Sequence, residues 1–306
     1  MHVGWSLALY YATIAPAQIV EMLFNGLSLG MLYVLLALGL NIILGLMGVI
    51  NFAHGALFTL GAYFTFALST HLGLFPAIVA AAFLTALLGM AGEAAFIRRL
   101  YGRPPEHVLM FTFGAFLVIT QVIRRIWGDD PQPLSLPPAL SGTVNLGFTQ
   151  YPSFRLLVVV ITIVVLALVY LLLVRTNLGL TIRAGTRDSE MVNILGINMP
   201  ATFTLVFGIG SFLGGLAGGL EAPLHVIDPN LGANFVIIAF MVVIVGGIGS
   251  FWGAIVGGLV IGVLQEATVE LIPGGSSAVD IVPFAFMLLI LLVRPRGLFG
   301  TAGLFD

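Results

Sequence analysis

The chain has 306 residues, of which 59% are hydrophobic and 8% are charged, and its formal net charge at neutral pH is −2. A soluble domain is about 45–50% apolar and about 25% charged, so this composition excludes a water-soluble fold. Every positive residue is an arginine, so the lysine with which P-loop proteins grip nucleotide phosphates is absent. Cysteine is absent as well, which excludes disulfides and thiolate catalysis. No basic block suggests a nucleic-acid partner. The composition predicts an all-α polytopic membrane protein that should not hydrolyse ATP through a P-loop.

Apolar runs of about 20 residues, long enough to cross roughly 30 Å of hydrocarbon, recur along the chain. They predict about 8–10 transmembrane helices in one domain over residues 1–306. The start of the second run is irregular. The expected spans are 20–44, 50–70, 75–97, 107–123, 154–174, 201–222, 234–248, 251–270 and 281–293.

Two polar loops and the distribution of arginine predict the orientation. Loop 128–153 contains five prolines and is expected outside the membrane. If loops 98–107 and 175–199 and the C-terminal tail are cytoplasmic, that side holds most of the arginines, as the positive-inside rule requires. Loop 128–153 is then extracytoplasmic, and nine spans place the N-terminus outside. The pair Arg124–Arg125 conflicts with the rule, so a re-entrant fourth span or a different span count stays open. The arginines counted as cytoplasmic are Arg98, Arg99, Arg103, Arg175, Arg183, Arg187, Arg294 and Arg296.

The stretch 39–61, GLNIILGLMGVINFAHGALFTLG, places Asn41, Asn51 and His54 between glycines. In hydrocarbon an unpaired amide or imidazole is costly, so these groups should face protein or a water-filled cavity. Glycine lets a helix break or another backbone approach closely. Asn51 and His54 would share one face if the segment were helical. We expect these three residues either to bond to neighbouring backbone or to line a translocation pathway, and the two roles are compatible.

The loop 183–198 has the pattern of a short amphipathic helix. Asp188 and Glu190 give it an acidic first turn, apolar residues follow at helical spacing, and Gly196 is placed to end it. Two interpretations follow: the helix lies on the bilayer surface, or it docks into a partner subunit.

Small residues recur at intervals of four, which places them on one helix face and favours close packing of helices. They are expected to pack helices within one bundle, although a homodimer contact would use the same pattern. The glycines concerned are Gly26 and Gly30; Gly210, Gly214 and Gly218; and Gly249, Gly253 and Gly257.

No motif predicts catalysis, a metal site or a cofactor. Residues 26–30 match the GxSxG pattern, but they lie in an apolar helix rather than at a strand-to-helix turn. The five histidines lack metal-binding spacing. An ion-coupled carrier or channel would need an acidic residue in mid-span, whereas the carboxylates lie mostly near span ends or in loops.

The sequence resembles the permease subunits of branched-chain amino acid ABC transporters, the LivH type of the LivH/LivM family. The likeness is carried by 26–63, 183–198, 207–223 and 238–262, with INFAHG followed by LGAY as its most specific motif. The resemblance implies the ABC importer permease fold with a broken second helix, and a bacterial or archaeal inner-membrane location. It also implies an ATPase-coupling loop containing Arg183, Asp188, Glu190 and Gly196, and a place beside the pathway for Asn51 and His54.

The resemblance further implies the partners and the cargo. Two ATP-binding subunits, an extracytoplasmic binding protein and a second permease subunit, either LivM-like or a copy of this chain, are expected. The cargo would be a branched-chain or related small amino acid, with urea or short amides as the alternative. Specificity would reside mostly in the binding protein, with a merely permissive cavity in the permease.

Overall fold

A computed structural model describes residues 16–147, 149–272 and 274–300 of the chain. These ranges form ten α-helices, two short 3-10 helices and one two-stranded hairpin. The first four helices are α1 (Pro16–Met47), α2 (Ala53–Leu72), α3 (Leu74–Ala95) and α4 (Pro105–Trp127). The hairpin pairs β1 (Thr143–Asn145) with β2 (Gln150–Pro152). The remaining helices are α5 (Ser153–Arg175), α6 (Asn177–Ile194), α7 (Met199–Glu221), α8 (Leu231–Gly246), α9 (Phe251–Leu271) and α10 (Ile281–Val293).

The helices other than α6 run alternately between two ends of the bundle. One end, here called the α6 end, holds residues 96–104, 175–199 and 247–250; there Arg98 donates a hydrogen bond to the carbonyl of Pro200 at 3.4 Å. The other end, the hairpin end, holds β1, β2 and the turn 222–230. An isolated antiparallel bridge between Gln132 and Ile227 ties its two loops together. The loops that carry most of the arginines therefore share the α6 end.

α1 lies at the centre of the bundle, and its residues 31–40 are all buried. Its neighbours approach closely because the contact residues are small. A Cβ atom on Gly30 would lie 3.0 Å from the carbonyl oxygen of Gly258 in α9, and one on Gly39 would lie 2.6 Å from that of Gly210 in α7. Larger side chains would force these helices apart.

Six of the described helices are long and apolar enough to cross a membrane, and α8 and α10 are shorter apolar helices. The predicted all-α polytopic architecture is confirmed. The second helix, predicted to be broken, is continuous over its 20 residues, and the irregular backbone lies before it, at residues 48–52. The first helix is longer than predicted: its 32 residues extend about 48 Å at 1.5 Å per residue. It therefore tilts or projects beyond the hydrocarbon layer.

Two polar loops contain more structure than their sequences indicated. In the first loop, the predicted short helix is only the second part of α6. The first part of α6 was not predicted; it begins at Asn177, where the Thr176 hydroxyl caps the helix by accepting the Gly179 N–H at 3.1 Å. Loop 128–153 contains the hairpin, whose turn is stabilised by a 2.8 Å hydrogen bond from the Gly147 N–H to the side chain of Asn145. Both features depend on local capping by single side chains, which the apolar pattern does not show.

Candidate functional site

The chain between α1 and α2 is not helical although it lies beside the helical core. Gly48 begins it with φ +64°, a left-handed conformation that favours glycine. The Thr112 hydroxyl lies 3.0 Å from the carbonyl oxygen of Ile50 and 3.3 Å from the Phe52 amide nitrogen. Non-helical backbone is tolerated at membrane depth only where protein or a cavity satisfies its polar groups. α4 provides that satisfaction here.

Asn51 lies in this non-helical segment and His54 is the second residue of α2, and both side chains are fully buried. His54 Nε2 lies 3.1 Å from the carbonyl oxygen of Leu36, so α2 begins beside the middle of α1. Within the described residues, neither polar atom of the Asn51 amide nor Nδ1 of His54 has a hydrogen-bond partner. Asn51 precedes α2 rather than belonging to it, so the two residues do not share a helix face. Neither residue lines any of the three cavities described below.

Asn41 holds the turn between α8 and α9. Its Nδ2 donates to the carbonyl oxygen of Ser250 at 2.8 Å, and its Oδ1 accepts the Gly249 N–H at 2.7 Å. Asn41 also lines a cavity of about 250 Å³ at the α6 end, here called the α6-end cavity. Arg183 and Tyr170 line the same cavity. Of the three predicted pathway residues, Asn41 is therefore the one that lines one of the three cavities described here.

A larger cavity of about 510 Å³, the hairpin-end cavity, opens at the opposite end. Its polar wall includes Arg155, which donates to the Asn25 side chain at 2.5 Å. Tyr33 donates to Gln265 at 2.5 Å in the same wall. None of these residues was predicted as a site residue, because they come from distant parts of the sequence.

The buried carboxylate Glu221 also lines the hairpin-end cavity, where it bonds to His225. That hydrogen bond raises the pKa of His225, which lies in the turn after α7. Between the two cavities, α1 residues 34–37 are completely buried. This completely buried part of α1 therefore separates the two cavities.

A third cavity, an apolar groove of about 520 Å³, lies between α3 and α4. Beside it, the carboxyl group of Glu93 is fully buried. Its carboxylate accepts from Tyr101 at 2.7 Å and from Thr204 at 2.5 Å, and it lies 3.4 Å from Arg98. Burial, together with this hydrogen bond to Glu93, raises the pKa of Tyr101. The cluster joins the end of α3 to the beginning of α7.

The predicted coupling loop forms a capped protrusion at the α6 end. The backbone of Asp188 leaves the helical region, with φ −159° and ψ 92°, and its side chain accepts the Met191 N–H at 2.8 Å. This is the geometry of an N-cap. Gly196 follows the helix with φ +88°, and Glu190 is exposed between the two. Arg183 lies one turn before the break and donates to the carbonyl of Leu173.

The predicted packing glycines contact other helices of the same chain. A Cβ on Gly214 would lie 3.2 Å from the His54 ring, and one on Gly257 would lie 2.8 Å from the Val242 carbonyl oxygen. Gly210 faces α1, Gly218 faces the backbone of α2, and Gly253 faces Gly246 in α8. Gly249 differs from the prediction, since it lies in the turn before α9 and has φ +77°.

Together these features define a helical multi-pass membrane protein with a cavity that contains polar groups at each end, the arrangement of a transport protein. Among the described residues, no group of three or more metal-binding side chains is present. The family model described as branched-chain amino acid transport system / permease component matches residues 22–291, and the chain belongs to this family. Membership makes it the non-catalytic membrane component of a transport system, a role that implies ATP-hydrolysing and solute-binding partners.

Three relatives illustrate the family. The chain is 31% identical to the high-affinity branched-chain amino acid transport system permease protein BraD of Pseudomonas aeruginosa, over 92% of this chain and 95% of that protein. It is 28% identical to LivH of Escherichia coli strain K12, with the same coverage. It is 27% identical to a probable LivH of Methanocaldococcus jannaschii, over 88% and 89% of the two chains. No solved structure gives a significant match.

Proposed function

We propose that this chain is the permease subunit of an ABC importer that carries a branched-chain or related small amino acid across a bacterial or archaeal inner membrane. An extracytoplasmic binding protein delivers the amino acid, two ATP-binding subunits drive transport, and a second permease subunit completes the membrane part. Family membership and the substrates named for the relatives support this function. They do not favour an ion-coupled carrier or a urea permease.

The observation that carries the proposal is an exposed apolar face on the second part of α6. Met191, Ile194 and Leu195 are 50%, 71% and 73% exposed, although capping at both ends fixes the segment that presents them. Clustered exposed apolar side chains mark a contact surface. The ATP-binding subunits would dock here, which makes the α6 end, the C-terminal tail included, cytoplasmic.

The same segment packs into the permease on its other side. Val192 is buried in an apolar cluster with Leu46 at the end of α1, Ile182 in α6 and Val206 in α7. A displacement of the exposed face by closing ATPase subunits would therefore reach α1 through direct contacts. α1 separates the two cavities, so its movement would open one and close the other.

Charge reversal in this segment tests the coupling role. Glu190→Arg should abolish ATP-dependent amino-acid uptake by the reconstituted complex while leaving the protein inserted, because it places a positive charge beside the docking face. Glu106→Arg is the matched control, since Glu106 is also exposed at the α6 end but lies in the first turn of α4. Normal uptake with Glu190→Arg would contradict the proposed docking.

The natural absence of cysteine makes a direct test of docking and orientation simple. Ile194→Cys should crosslink to an ATP-binding subunit, whereas Val164→Cys, exposed on the side of α5, should not. Gly142→Cys near the hairpin should react with an impermeant maleimide on intact cells, whereas Asn193→Cys should react only after lysis. Labelling of Asn193→Cys from outside would overturn the proposed orientation, and protection of Ile194→Cys by lipid alone would instead favour a surface helix.

A further inference from the structure

The hairpin-end cavity has the size and construction of a small-molecule site. Its volume of about 510 Å³ falls within the roughly 300–1,000 Å³ common for ligand pockets. Residues from α1, α5, α7, α8 and α9 form its wall, together with the turn after α7. It also lies at the end that the proposed function places towards the binding protein.

Glu221 provides a buried carboxyl group in this wall. The residue is 0% exposed, and its Oε1 bonds to His225. Its Oε2 has no hydrogen-bond partner within the described part of the chain. A buried carboxylate oxygen is costly unless a donor reaches it, and a ligand ammonium group provides such a donor.

Arg155 provides the opposite charge. One of its terminal nitrogens is held by Asn25 at 2.5 Å, which fixes the guanidinium in the wall. An arginine carries five N–H donors in a planar fork that matches a carboxylate. The cavity thus places a guanidinium group and a carboxyl group in one wall, partners for the carboxylate and the ammonium group of an amino acid. Three further carboxyl groups, of Asp228, Glu266 and Asp280, also line the cavity.

The part of the wall that α1 and α8 form contains apolar side chains. Leu29, Leu32, Phe235 and Ile238 line this part. Aliphatic and aromatic side chains of this kind accommodate a hydrocarbon group. A neutral amide or urea would leave both the charged groups and this surface unmatched.

We propose that the hairpin-end cavity binds one zwitterionic α-amino acid, with its ammonium group at Glu221, its carboxylate at Arg155 and an aliphatic side chain against Leu32, Phe235 and Ile238. The inference rests on the proposed function and extends it, because the permease itself then recognises the amino-acid group. This recognition replaces the merely permissive cavity expected from sequence.

Equilibrium binding of radiolabelled leucine to the transport complex in nanodiscs, without the soluble binding protein, tests the inference. Two competitors separate the charges: leucinamide keeps the ammonium group and lacks the carboxylate, and 4-methylpentanoate keeps the carboxylate and lacks the ammonium group. Glu221→Gln should weaken leucine and leucinamide about 10- to 100-fold while leaving 4-methylpentanoate within about threefold. Arg155→Gln should weaken leucine and 4-methylpentanoate by a similar factor while sparing leucinamide.

Matched controls are Asp130→Asn and Arg125→Gln, both exposed at the hairpin end outside the cavity, and both should bind leucine like the wild type. Either cavity variant serves as its own folding control through the competitor that it should still bind. Absence of leucine binding by the wild type, no loss in the variants, or an equal loss for all three compounds would overturn the inference. The proposed function fails separately, if the complete complex with ATP and binding protein takes up no amino acid.

Discussion

Replacing Asn41 by alanine removes the side chain that holds the α8–α9 turn against α1. Its amide satisfies one backbone donor, the Gly249 N–H, and one backbone acceptor, the Ser250 carbonyl. Alanine satisfies neither group, but it fits the space and keeps the helix. The variant therefore isolates the two hydrogen bonds.

The expected loss follows from the surroundings of these two groups. Leaving a buried backbone group without a partner costs about 1–3 kcal/mol, so two groups set an upper limit of about 6 kcal/mol. Hydrogen bonds inside membrane proteins contribute less, about 0.6 kcal/mol on average. Gly249 is also exposed and lines the α6-end cavity, so a water molecule can accept the hydrogen bond of the Gly249 N–H in place of the Asn41 side chain. We expect Asn41→Ala to lower the free energy of unfolding by about 1–3 kcal/mol.

Unfolding by dodecyl sulfate in mixed micelles, followed by circular dichroism, measures this loss. Asn193→Ala is the control, because Asn193 is also a helical asparagine but is exposed in α6. A loss below about 0.5 kcal/mol for Asn41→Ala, or an equal loss in the control, would refute the assignment of Asn41 as the residue that holds this turn.

Two further predictions concern packing and protonation. Gly218→Ala should lower the free energy of unfolding by about 1–3 kcal/mol in the same assay, because the new methyl group meets the backbone of α2. Gly92→Ala in α3, where a Cβ meets no other group within 4 Å, should be neutral or stabilising; equal losses would contradict the packing role. His225→Gln should lower the free energy of unfolding at about pH 5.5 and change it little at about pH 9. The hydrogen bond to Glu221 raises the pKa of His225 in the folded protein, so protonation of this histidine stabilises the fold. That stabilisation is complete below the unfolded pKa of about 6.5 and is lost as the pH rises through the raised folded-state pKa. The effect is measured by comparing the unfolding transitions of wild type and variant across this pH range. His107→Gln is the control, because His107 is exposed. A difference in stability that does not change with pH would contradict the prediction.

The sequence predicted those features that one segment specifies alone. Apolar length predicted the spanning helices, and the glycines and asparagines after Gly39 predicted the break before α2. The second part of α6 was equally visible, because Asp188 and Gly196 are the residue types that begin and end short helices. In each of these regions the signal and the structure lie within about 25 residues.

Features assembled from distant residues could not be predicted. Asn25, Arg155 and Glu221 belong to three different helices, and only the packing of α1 against its neighbours brings them to one cavity. Asn51 and His54 show the converse. Their polar side chains stand out in an apolar stretch of sequence, but both are fully buried and neither lines one of the three cavities. A polar residue in an apolar segment does not by itself indicate which part of the fold its side chain will contact.

Contacts within the fold account for two of the three arginines at the hairpin end. Arg124 donates to Asn230 at 2.7 Å and lies 3.3 Å from Asp129, and Arg155 is held by Asn25. These two side chains form contacts between loops and helices. Their position is therefore explained by the fold and not by the preference of arginine for the cytoplasmic side. A re-entrant α4 is not needed to explain them, because α4 runs from the α6 end to the hairpin end as a continuous helix of 23 residues. The remaining excess of arginine lies in the loops of the α6 end, which is the asymmetry that the rule associates with the cytoplasmic side.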